Sequence, residues 1–70
     1  MTDSKLLREA IDNSGLKYGY IAKQLGISTK SLQRKIDNES SFKASEIQKL
    51  CEILSISSYK TKENIFFSKM

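Results

Sequence analysis

Residues Lys17 to Ile36 read KYGYIAKQLGISTKSLQRKI, and this stretch decides the fold. Ile21, Ala22 and Leu25 fall at i, i+1 and i+4 of one short helix, and Leu32 and Ile36 at i and i+4 of another. Each helix therefore carries one narrow apolar stripe. Between them stands Gly26-Ile27-Ser28. Gly26 suits the left-handed conformation that ends a helix, Ile27 plugs the corner, and Ser28 caps the next helix by accepting from the N–H of Lys30 or Ser31. From Lys17 through Lys35 the chain has five Lys or Arg and no Asp or Glu. The reading is a helix-turn-helix with a positive face, its motif spanning residues 17–37.

The spacing of Ala22, Gly26 and Leu32 resembles the DNA-binding motif of phage repressors of the Cro/CI type, also called Xre-like. Small Ala22 lets the second helix cross closely, and Gly26 makes the turn. The likeness runs from about Leu6 to Leu54, because one helix precedes the motif and at least one follows it. It implies an all-α, repressor-like DNA-binding domain of four to five helices.

Outward from the motif, 70 residues are read as a single domain with a small core. The net charge of +4 suits an anionic partner without demanding one. Its distribution says more: residues 1–35 carry seven Lys/Arg against three Asp/Glu, whereas residues 36–70 carry five of each. The excess sits in the half that holds the motif. No apolar run approaches a membrane span and the N-terminus lacks a signal-peptide pattern, so the expected location is the cytoplasm of a bacterial host. Cys51 is the one cysteine and His is absent, so neither a disulfide nor a metal site is expected. An enzyme is not expected either, without an activated thiol, a Gly-rich phosphate loop or a carboxylate pair with reason to be buried together. No cofactor or small-molecule substrate is implied.

The first helix is predicted over about residues 4–13, with Thr2, Asp3 and Ser4 as candidate caps. Leu7, Ala10 and Ile11 form its inward stripe, broadened by Leu6, and Gly15 ends it. The second, over 17–25, lacks the family's Ser/Thr cap and carries Gly19, which costs about 1 kcal/mol relative to Ala. Two readings of Tyr18 stand side by side: a phosphate contact, as the resemblance implies, or a core-edge aromatic. Tyr20 is out of phase with the stripe and reads as exposed.

The third helix, 29–37, would be the recognition helix. Lys30, Gln33, Arg34 and Asp37 share an outward stripe, with Thr29 beside it. By resemblance, Thr29, Lys30, Gln33 and Arg34 are the base readers; Arg or Lys suits guanine and Gln pairs bidentately with adenine. The plainer reading is a solvated polar face. Asn38 is the left-handed cap, and the loop to Lys43 would lie along a phosphate strand. The expected phosphate contacts are thus Lys17, Tyr18, Ser28, Asn38, Ser40, Ser41 and Lys43, opposed by Asp37 and Glu39.

A fourth helix is predicted over 44–54 or 55, its stripe Ile47, Leu50, Cys51 and Leu54 making Cys51 an inert core thiol. Ser57-Ser58-Tyr59 reads as a connector, and 61–67 as a short helix or a strand, with the short helix favoured. Phe66 would close the core, while Tyr20, Ile53, Ile65 and Phe67 are candidates for a protein interface.

Two functions follow as expectations. The resemblance implies a transcriptional regulator of a phage or mobile element that occupies a double-stranded DNA operator as a two-fold homodimer. The alternative is an antirepressor, a modulator that binds a phage repressor protein and masks its DNA-binding surface. Tyr18-Gly19-Tyr20, the acids at Asp37 and Glu39, and the apolar tail favour the alternative.

Overall fold

In a computed structural model, which describes residues 1–68, five helices follow one another: α1 Ser4–Ser14, α2 Tyr18–Leu25, α3 Thr29–Ile36, α4 Ala44–Ile53 and α5 Tyr59–Phe66. No strand occurs among the described residues. Local chemistry sets most of the boundaries. Asp3 caps α1 by accepting from the Leu6 N–H at 3.0 Å, Ser28 caps α3 from Ser31 at 3.0 Å, and Ser58 caps α5 from Thr61 at 3.4 Å. Lys17 supplies no side-chain cap to α2.

Three of the C-termini close in one way. After α2, α3 and α4 a residue with left-handed backbone follows: Gly26 at φ 74°, Asn38 at φ 65° and Ser55 at φ 58°. The next N–H then reaches back to the carbonyl five residues before it, from Ile27 to Ala22, Glu39 to Arg34 and Ile56 to Cys51. At the end of α1, Gly15 is also left-handed. There the hydroxyl of Ser14 donates to the Ile11 carbonyl and accepts from the Leu16 N–H, replacing the direct bond.

The stripes of all five helices meet in one core of Leu7, Ile11, Ile21, Ala22, Leu32, Ile36, Leu50, Cys51, Ile65 and Phe66. α2 packs against α3 and α4, and α1 against α3 and α5. Burial pushes the Cys51 thiol up, which keeps it protonated at neutral pH. Phe42, in the loop before α4, stands edge-on to Phe66 at 5.7 Å and pins that loop to α5. The two ends of the chain pair as well: Asp3 N–H donates to the Ile65 carbonyl at 2.6 Å, and Ser68 N–H to that of Met1 at 3.0 Å.

Several expectations need correction. The last element is the favoured short helix, but it begins at Tyr59, because Ser58 is its cap rather than part of a connector. Ile65 is 4% exposed and joins the core beside Phe66, so it is not an interface residue. The Asp3 N–H bonds the Ile65 carbonyl, and Phe67, two positions on, is 56% exposed. Ile53 is half-buried against the core. Leu6 does not widen the α1 stripe; it is 38% exposed, one position off the Leu7–Ile11 line.

Candidate nucleic-acid interface

The turn Gly26–Ser28 holds α2 and α3 together, and their N-terminal ends lie side by side. A Cβ built on Gly19 would sit 3.7 Å from the Thr29 hydroxyl, which is ordinary contact distance. Gly19 is therefore not required by space. On α3, Leu32 and Ile36 face the core, while Thr29, Lys30 and Arg34 are exposed. The turn-to-turn spacing of Lys30 and Arg34 puts both cations on one side of the helix. Lys17, Tyr20, Ser28, Ser40, Ser41 and Lys43 are exposed too, and Tyr18 is half-buried.

Side-chain partners reshape this face. Arg8 of α1 reaches across to it and ties three of its residues together. Its Nη2 donates to Asp37 at 2.8 Å, and its Nη1 to the Gln33 amide oxygen at 3.1 Å and the Tyr18 hydroxyl at 3.5 Å. The guanidinium also lies 5.8 Å from the centre of the Tyr18 ring. Asp37 first and Tyr18 second hold the guanidinium more firmly protonated than usual. The acid at the end of α3 is thus neutralised within the fold, and its opposition to a phosphate strand is weakened.

Lys35 leaves the basic face altogether. Its ammonium donates to both carboxylate oxygens of Glu46, at 2.6 and 2.7 Å, with the two side chains only 12% and 9% exposed. The same carboxylate accepts from the Lys43 N–H at 2.8 Å and so caps α4. Burial pushes the Glu46 carboxyl up, but the Lys35 ammonium and the Lys43 N–H outweigh it and hold it below its ordinary range.

Asn38 is held in place by the first residues of the chain. Its left-handed backbone is as expected and the residue is exposed, but its amide is tied to the start of the chain. It accepts from the Thr2 N–H at 3.0 Å and donates to the Thr2 carbonyl at 2.8 Å, a two-bond pair that uses one of its two N–H donors and leaves the other. Ser4 adds a third tie by donating to the Ile36 carbonyl at 2.6 Å. Gln33, expected on the open stripe, is half-buried with its carbonyl end held by Arg8.

The structure therefore leaves Thr29, Lys30 and Arg34 open on α3 and the NH2 end of half-buried Gln33 without a partner among the described residues, with Lys17 and Ser28 at the helix starts and Ser41 and Lys43 in the loop before α4. Sequence reasoning missed Arg8. Its one available signal was a basic residue one position beyond Leu7, on the flank of the inward stripe of α1.

Five short helices, two of them joined by a three-residue turn, define a small all-α domain. A family model described as "Protein of unknown function (DUF739)" matches residues 2–69, and the chain belongs to that family. No curated protein and no solved structure matches it. No helix among the described residues is long and apolar enough to cross a membrane.

Proposed function

We propose that the chain is a sequence-specific DNA-binding transcriptional regulator, of the kind phages and mobile elements use, acting in a bacterial cytoplasm. The observation that carries this reading is the exposed edge of α3. Thr29, Lys30 and Arg34 project from a helix capped at both ends, and the neighbouring acid Asp37 is paired with Arg8. A firmly held helix with two cations and a hydroxyl on its open side suits a major groove: Lys and Arg match guanine O6 and N7, and Thr a hydroxyl contact or a thymine methyl. Lys17, Ser28, Ser41 and Lys43 are placed to position the backbone, since phosphate contacts orient and base contacts specify. The protein then works by occupying an operator, as a two-fold homodimer on half-sites about one helical turn apart.

Fluorescence anisotropy with duplexes from the region flanking its gene, against scrambled controls at two salt concentrations, tests this. Tight, selective and salt-sensitive binding is expected. Arg34→Ala should weaken binding by about 1–3 kcal/mol and relax base preference, whereas Lys43→Ala should weaken all duplexes evenly and lower the salt slope by about one. Unchanged affinity and preference in Arg34→Ala would remove α3 from the groove.

A second reading, an antirepressor that masks a phage repressor protein, draws on Tyr20 and Phe67, which are 51% and 56% exposed. Exposed aromatics suit protein contacts. Weak, unselective DNA binding together with a complex formed with the repressor would favour it.

A further inference from the structure

The residue that decides what Gln33 reads stands outside the helical pair. Arg8 is fixed on three sides: Asp37 takes Nη2 at 2.8 Å, the Tyr18 ring lies beneath the guanidinium at 5.8 Å, and Gln33 Oε1 takes Nη1 at 3.1 Å. A guanidinium only donates. Whichever way the Gln33 amide is drawn, the end that faces Nη1 must be the carbonyl oxygen, because the NH2 end there would set donor against donor. The two N–H groups of Nε2 are then the end that remains for a ligand, and none of them is taken by a described residue.

Hydrogen-bond chemistry turns that orientation into a base preference. The bidentate pairing of Gln with adenine uses both amide ends, the N–H to N7 and the carbonyl to the N6 amino group. With its carbonyl oxygen turned to Arg8 and one of its two lone pairs taken there, Gln33 offers its N–H groups ahead of its carbonyl. Guanine presents two acceptors, N7 and O6; thymine presents one, O4; cytosine's major-groove amino group accepts nothing. We infer that Arg8 is a positioning residue that orients Gln33 with its N–H groups outward and so shifts it from reading adenine to reading guanine. This inference rests on the groove-binding reading of α3, and it reverses the adenine pairing that a Gln at this position suggests by itself.

The test is a selection from randomised duplexes with the full chain, run for wild type, Gln33→Ala, Arg8→Met and Arg8→Lys. Side-chain amide relaxation of Gln33 is measured by NMR without DNA. Wild type should select guanine at one position of each half-site, and Gln33→Ala should flatten that position alone. Arg8→Met should move it toward adenine by roughly tenfold or more, the discrimination that one bidentate pair carries. The Gln33 amide should become more mobile in the same variant. Arg8→Lys, which still donates to Oε1, should keep guanine; this conservative variant also serves should Arg8→Met fold poorly. A merely structural role for Arg8 predicts an even loss at all positions, and that result overturns the inference. So does adenine at the Gln33 position in wild type. If wild type binds no duplex selectively while Gln33 stays ordered, the DNA reading falls first and takes this one with it.

Discussion

Replacing Lys35 by Met severs the most buried ion pair in the domain. The Lys35 ammonium meets Glu46 at 2.6 Å with the two side chains 12% and 9% exposed, so water does little to screen the charges. Removing one partner of a buried pair strands the other, at about 3–5 kcal/mol. Here Glu46 keeps the Lys43 N–H at 2.8 Å, which places the expected loss near the lower end, about 3 kcal/mol. At roughly 0.05–0.15 kcal/mol per residue, a chain of this size has on the order of 4–10 kcal/mol in total, so Lys35→Met should lose a third or more of it. The melting temperature should fall by about 12 °C or more, taking about 4–8 °C per kcal/mol for a domain this small.

Urea unfolding followed by far-ultraviolet circular dichroism measures the change in a double-mutant cycle with Glu46→Leu. Glu46→Leu also removes the α4 cap and should cost about 1 kcal/mol on that account. The double variant should recover most of the loss of Lys35→Met, since an apolar pair of similar volume is often neutral in place of buried charges. A loss below about 1 kcal/mol for Lys35→Met, the range of exposed pairs, would show that the pair is solvated and refute the reasoning. The same variant bears on function: Lys35 faces α4, so its loss should leave the salt dependence of DNA binding unchanged, unlike that of Lys43→Ala.

Two further outcomes follow from the same geometry. The Glu46 carboxyl is held below its ordinary value in the fold, so its ionisation stabilises the domain above the unfolded value near 4.5 and that contribution fades as pH falls further. Acid titration of stability should therefore be steeper between about pH 5 and 3 in wild type than in Glu46→Gln, and equal slopes would contradict it. Ser55 holds a left-handed conformation at φ 58°, which strains any side chain. Ser55→Gly should raise stability by about 0.5–1 kcal/mol after the added freedom of the unfolded chain is offset, as read by the urea midpoint.

What the sequence by itself determined was the part of the structure governed by neighbours within four or five positions. Gly26 and Ser28 announce the turn because a left-handed residue and a hydroxyl cap act on backbone groups a few residues away. Asn38 is legible as a left-handed cap for the same reason, and the stripes of α1 to α4 follow from the helical repeat. The tertiary structure decided which polar groups are left for a ligand. Arg8 finds Gln33 and Asp37 at separations of 25 and 29 residues, Asn38 finds Thr2 at 36, and Lys35 finds Glu46 at 11. Each pairing depends on how the helices cross, which no local pattern encodes. Burial at those crossings obliges charges to pair with each other rather than with water, and so it takes Lys35 off the open face. Ile65 and Phe67 show the same limit: two apolar residues two positions apart, one packed into the core and the other left outside.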